Sequence, residues 1–148
     1  MKVYKELSHE EKRLYLGILI IVICIIVSGI TLKKERKTYD IDTSLVDNII
    51  VTEEVNNVKV KPSNDSKIHV TYSEGKNSSY KIEKKDSVLN ISTSEPSVNI
   101  GIVIDIVDSS LIIEIPKDYK KDLQVTTKKE WSVDKSIQFK SVNIVNKG

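Results

Sequence analysis

The alternation of apolar and polar positions divides the chain near residue 33. From Leu14 to Leu32 it reads LYLGILIIVICIIVSGITL, nineteen residues without a charge. At about 1.5 Å rise per residue, a helix of that length spans about 28 Å, close to the ~30 Å hydrocarbon core of a bilayer. A helix buried in a soluble core would carry a polar stripe on one side, and this run has none. Its many Ile and Val residues disfavour a helix in water, but in lipid the backbone must satisfy its own hydrogen bonds, so the helix wins. Upstream, Ser8 and Glu11 have the spacing of a capping box, which places the helix start at Ser8. The pattern therefore predicts a short arm over 1–13, a transmembrane helix over 14–32 and a basic, polar tether over 33–47.

From residue 48 the period changes to two. VDNIIVTE is followed by NNVKVKP, with Val58 and Val60 on one face and Lys59 and Lys61 on the other. KIHVTY (Ile68, Val70, Tyr72 inward), YKI (Tyr80, Ile82) and VLNIST (Leu89, Ile91) continue the alternation. So do VNIGIVIDIV and LIIEIP, and then shorter pieces, LQVTT, WSV, IQF and VNIV. Such alternation marks half-buried strands, and the clusters PSNDS, SEGKNSS, KKDS, SEPS and VDSS between them are turns. No comparable helical period follows Leu32. The expected fold over 48–148 is mainly β: a β-helix-like solenoid of short stacked strands, or alternatively a β-sandwich. The close return of Leu123 and Val125, Trp131 and Val133, Ile137 and Phe139, then Val142 and Ile144 favours the solenoid.

Charge refines the membrane reading. The formal net charge is only +2, yet residues 38–148 carry 15 Lys and no Arg against 17 Asp and Glu. The positive excess lies in Lys12 and Arg13 on one side of the apolar run and Lys33, Lys34, Arg36 and Lys37 on the other. That placement points to lipid headgroups rather than nucleic acid. The two flanks nearly balance, so charge alone does not orient the chain. A lone cysteine, Cys24, excludes an internal disulfide and a cysteine-based zinc site.

The order VDNIIVTEEVNNVKVKPSNDSKIHVTYSEGKNSSYKIEKKDSVLNIST, then LIIEIPKDYKKDLQVTT, resembles the putative-adhesin β-strand-repeat family, LiaG-like envelope proteins of Gram-positive bacteria. The resemblance rests on VKVKPS, on the KIHVTY, YKI and VLNIS strands, and on a corner formed by Ile113, Ile115, Pro116 and Tyr119. It runs from about Ile41 onward. It implies a β-helix-like fold and an extracytoplasmic domain behind one membrane anchor. Few of the family's later repeating turns follow the proline corner, which shortens the expected binding face.

The chemistry-bearing residues are sparse. His69 is expected on the outward face beside Lys67 and Thr71, and His9 lies in the N-terminal arm, so no histidine metal site or catalytic triad is expected. Asp105 and Asp108 read as turn residues rather than an acid–base pair. Trp131 with Lys128 and Lys129, together with Lys120 and Lys121, forms a candidate ligand surface for a glycan or acidic polymer; the plainer reading is an edge or core tryptophan and a solvated lysine face. No cofactor, metal or catalytic residue is expected. The sequence thus predicts a single-pass membrane-anchored envelope protein, N-terminus cytoplasmic and β domain extracellular, serving as a non-enzymatic interaction or sensing module. The alternative is an accessory subunit of a membrane complex acting through its helix. Expected partners are the bilayer, another envelope protein or a cell-wall polymer, and a second copy through an open strand edge.

Overall fold

The computed structural model describes residues 8–31, 35–74, 79–94 and 110–148, with side chains 26–31 and 94 outside the description. It divides into an N-terminal unit, 1–33, and a β unit, 34–148. Helix α1 runs His9–Thr31. Its start is the capping box read from the sequence: Ser8 N–H donates to Glu11 Oε2 at 2.7 Å, and Glu11 N–H donates to Ser8 Oγ at 3.3 Å. Among the described residues no helix is long and apolar enough to cross a membrane. The apolar stretch with described side chains, Leu14 to Ile25, covers about 18 Å at the helical rise, and the remainder of the expected span lies beyond those side chains. Large apolar side chains from Leu14 to Ile25 are exposed on every side of the helix.

Ten strands follow: β1 Glu35–Asp42, β2 Asn48–Glu53, β3 Val58–Pro62, β4 Lys67–Glu74, β5 Ser79–Lys85, β6 Val88–Ser94, β7 Leu111–Ile115, β8 Asp122–Thr127, β9 Trp131–Val133 and β10 Ser141–Asn146. They form two mixed five-stranded sheets, in the orders β1-β4-β7-β3-β9 and β10-β8-β2-β6-β5. The pairs β3–β7, β3–β9, β2–β6, β2–β8 and β8–β10 are parallel. The pairs at the far end, β1–β4, β4–β7 and β5–β6, are antiparallel. The parallel ladders need no crossover helix: β2 to β3, and β7 through β10, alternate between the sheets, so each return to a sheet runs in the same direction.

Stacked short strands and two facing sheets, posed as alternatives from the sequence, are thus combined in one mixed structure. The inward positions are those the alternation indicates. Ile68, Val70, Leu111, Ile113, Val58 and Val60 of one sheet meet Ile49, Val51, Leu89, Ile91, Leu123 and Val125 of the other in a single buried cluster. Each such side chain contributes ~1.5–3 kcal/mol relative to exposure.

Two expectations are corrected here. The segment 33–47, read as a tether, contains β1, which pairs with β4 from Glu35↔Glu74 to Asp42↔Lys67. Its inward face supplies only Tyr39 and the buried Ile41, too little to stand out among Glu35, Arg36, Lys37, Asp40 and Asp42. IQF is not a strand. Ile137 is buried and Phe139 packs on the core, but this segment lies on the turn before β8, with Gln138 N–H donating to Lys117 O at 2.7 Å. VNIGIVIDIV, with Asp105 and Asp108, lies outside the described residues.

Candidate interaction surface

The space between the sheets opens at both ends of the strands, and each opening is closed by a polar cluster. At one end, Pro116 ends β7 and the chain turns through Lys117–Lys121. Tyr119 N–H donates to Pro116 O at 3.1 Å, tightening the turn. The Tyr119 ring is buried, its hydroxyl donates to Val46 O at 3.3 Å, and it meets the Phe139 ring edge-on with centroids 6.1 Å apart. Burial pushes this phenol above the usual tyrosine range. Lys121 Nζ donates to Val46 O at 3.0 Å and pairs with Asp47 Oδ1 at 2.7 Å, holding the Asp47 carboxyl below its ordinary range. Lys120 occupies the left-handed region (φ 51°), and its N–H donates to Gln138 O at 2.7 Å.

The opposite end is built on Glu53, fully buried at the last inward position of β2. Its Oε1 accepts from the backbone N–H groups of Val55 and Asn56, both at 2.9 Å, and from Thr93 Oγ1 at 2.8 Å. Its Oε2 accepts from the Tyr80 hydroxyl at 2.6 Å, and Asn56 Nδ2 donates to that same hydroxyl at 2.8 Å. Burial, then the Glu53 charge, raises the Tyr80 phenol far above its usual range. Glu53 pairs in register with Thr127 of β8, also buried. This network was not anticipated. The signal was present: the spacing Ile49, Val51, Glu53 points the carboxylate inward.

His69 is on the outward face of β4, as expected, but it is not simply solvated. Its Nδ1 lies 2.7 Å from Asp40 Oδ1 on β1, and its Nε2 lies 2.9 Å from Asp65 Oδ1 in the turn before β4. Glu114 of β7 is its cross-strand neighbour on the other side. The Asp40 hydrogen bond raises the imidazole pKa, partly opposed by burial and supported by Asp65. Both ring nitrogens face carboxylates, which suits an imidazolium that fastens β1. Among the described residues no group of His, Cys, Asp and Glu has the arrangement of a metal site.

The five residues of the candidate ligand surface divide into two groups. Lys120 and Lys121 precede β8, while Lys128, Lys129 and Trp131 follow it, and six strand residues separate them by about 20 Å. Lys121 is engaged by Asp47 and belongs to the scaffold. Lys128 pairs with Glu54 at 3.5 Å. Asn57, Lys128, Lys129, Glu130, Asn146 and Gly148 line an open cleft of about 510 Å³, and Trp131, next in the chain and 44% exposed, stands at the start of edge strand β9. The membrane-flanking residues divide as well. Lys12 and Arg13 lie in α1, Lys33 and Lys34 fall outside the described residues, and Arg36 and Lys37 belong to β1. There Lys37 pairs with Glu74 at 2.6 Å, because the strand ladder brings the two residues together.

Residues 46–147, which hold nine of the ten strands of these two mixed sheets, match a family model, the toastrack DUF4097 domain. The chain belongs to the toastrack DUF4097 family. The toastrack fold is also found in a solved structure, a "putative cell adhesion protein" from Clostridium sporogenes, with a TM-score of 0.54 and 15% sequence identity. That match covers 76% of this chain and 57% of the other, so the toastrack chain spans little more than half of its length. No curated protein matches the chain. β1 begins upstream of the family match, so the strand that follows the apolar helix lies outside the matched toastrack residues.

Proposed function

We propose that the protein is a single-pass membrane-anchored envelope protein whose toastrack domain acts outside the cell as a non-enzymatic interaction module. The observation that carries this reading is the uncharged run Leu14–Leu32, whose described side chains from Leu14 to Ile25 expose Leu and Ile all round, with a β domain following it in the chain. A helix apolar on every side is at home in lipid rather than water. The large polar clusters found among the described residues are structural: Glu53 is sealed in by four donors, and Lys121 is tied to Asp47. Among the described residues the cleft beside Trp131 is accessible, with Lys129 and Glu130 toward solvent, and an exposed tryptophan beside a lysine is chemistry suited to a glycan or acidic polymer of the cell wall. The similar Clostridium structure is that of a "putative cell adhesion protein", which accords with that role.

The decisive experiment is a topology reporter fused after Gly148, together with protease treatment of intact cells. An external reporter and loss of the β domain to protease are expected; a protected domain would sink the reading. Replacing α1 by an unrelated membrane helix then separates the module from an accessory subunit, since the module retains function and the subunit loses it.

A further inference from the structure

Among the described residues β1 is the end strand of its sheet, paired to β4 alone. Its cross-strand fasteners differ in how they respond to protons. Lys37 and Glu74 lie 2.6 Å apart and keep each other charged: the ammonium is held above its ordinary range and the carboxyl below. The Thr38 and Thr71 hydroxyls, 3.3 Å apart, carry no charge. The third fastener contains His69, one of two histidines in the chain. Histidine is the side chain whose ordinary pKa lies between about 5 and 8.

The surroundings of this imidazole are satisfied in one charge state only. Nδ1 lies 2.7 Å from Asp40 Oδ1 of β1, and Nε2 lies 2.9 and 3.0 Å from the two carboxylate oxygens of Asp65. An imidazolium donates from both nitrogens. A neutral imidazole has one N–H, so one carboxylate must then face a lone pair. The two carboxylates are unequally secured. Asp65 Oδ1 also accepts from Lys67 N–H at 2.9 Å, whereas among the described residues the Asp40 side chain is tied to His69 alone. When the proton leaves, the remaining N–H stays with the anchored Asp65, and the Nδ1 lone pair is left against Asp40. Glu114 of β7 adds a third negative charge in register with His69. The cations of the adjoining positions, Lys67 of β4 and Lys61 of β3, stand in register with Asp42 and Glu114.

We propose that His69 is a proton-operated clasp for β1. Protonated, it ties Asp40 of the end strand to β4 and to the Asp65 turn; deprotonated, it releases Asp40, and β1 opens from β4 more often. The response is local. Asp40 and Asp65 keep 51% and 52% of their side-chain surface in water, which screens the pairs, so the clasp governs the opening of an end strand and leaves the core strands as they are. Both carboxylates favour the cation, and the imidazole pKa is raised, chiefly by the Asp40 bond. The grip is therefore full below the ordinary value of about 6.5 and is lost as pH rises through the folded value. A domain whose first strand is held in this way responds to the acidity around it, a property independent of its topology and of the cleft beside Trp131.

The test is amide hydrogen exchange of the full chain in mild detergent from about pH 5 to about pH 8, each rate being divided by the intrinsic rate at that pH. Protection over residues 35–42 is expected to fall several-fold with rising pH in the wild type, while protection over β8 stays level. His69→Gln is expected to show no such step. Neither is Asp40→Asn, whose amide donates to the neutral ring and accepts from the charged one. Lys37→Met is expected to lower protection of 35–42 at every pH and to keep the step, which separates a titrating clasp from a general loosening of the edge. Proton NMR of the wild-type His69 ring, told from His9 by its loss in His69→Gln, reads the titration without relying on a variant's stability and should place it above the ordinary value. A level wild-type profile, a step that survives in His69→Gln or Asp40→Asn, a parallel step in β8, or a ring titrating at or below the ordinary value would overturn the proposal.

Discussion

The two strand-end clusters close the same sandwich with opposite chemistry. At the Tyr119 end the exposed backbone groups are carbonyls, and a cation and a phenol donate to them: Lys121 and Tyr119 both reach Val46 O. At the Glu53 end the groups needing partners are N–H donors of the turn after β2, and a carboxylate accepts from them. The difference lies in burial. Lys121 keeps part of its side chain in water, whereas Glu53 is wholly enclosed, so its charge depends on protein donors alone. A buried plug is all-or-none; a half-wet one can lose a bond and let water take its place.

That contrast can be broken first at Glu53. Glu53→Ala leaves two backbone N–H groups and the Tyr80 and Thr93 hydroxyls without their acceptor, and should cost about 3–5 kcal/mol. A urea melt measures it, and a loss below that of the Tyr119 variant would reverse the comparison. Glu53→Gln keeps the shape and one acceptor, and should fall between wild type and Ala. Tyr119→Phe removes one hydroxyl from a carbonyl that Lys121 still serves, so about 1 kcal/mol is expected. Lys120→Gly at the same corner should be neutral or stabilising by up to about 1 kcal/mol, since glycine adopts positive φ without strain.

The smallest effect is expected at His69, which belongs to neither plug. Its folded pKa is raised above the usual 6.5, so its contribution is fully present below that value and is lost as pH rises through the folded pKa. The thermal midpoint of the wild type should therefore fall relative to His69→Gln as pH rises from about 6 to about 8. Identical profiles would show that the carboxylates of Asp40, Asp65 and Glu114 do not act on the imidazole.

The Tyr119 corner was legible because its signals are local: LIIEI alternates, Pro116 stops the ladder, and a tyrosine follows three residues on. The core was legible for the same reason, since period two sorts Ile113 from Ile112 without knowledge of the neighbours. Glu53 was not, although its position in the alternation points inward. A buried carboxylate makes sense only with its donors, and Tyr80 and Thr93 lie 27 and 40 residues away. His69 shows the same limit. Its face was legible, but its partner Asp40 was not, because β1 itself was hidden among charges. The lysine cluster failed in the opposite way: Lys121 and Lys128 are close in sequence, and the strand between them carries them to opposite ends.

The placement of β1 has a mechanical side. Any pull transmitted through the N-terminal segment enters the β domain at Glu35, the first residue of a ladder that runs to Asp42↔Lys67. The first cross-strand fastener it meets is Lys37–Glu74, then the Thr38–Thr71 hydroxyl pair, and only afterwards the Asp40–His69 clasp. A load entering there would meet these β1–β4 fasteners one after another before it reached the core strands.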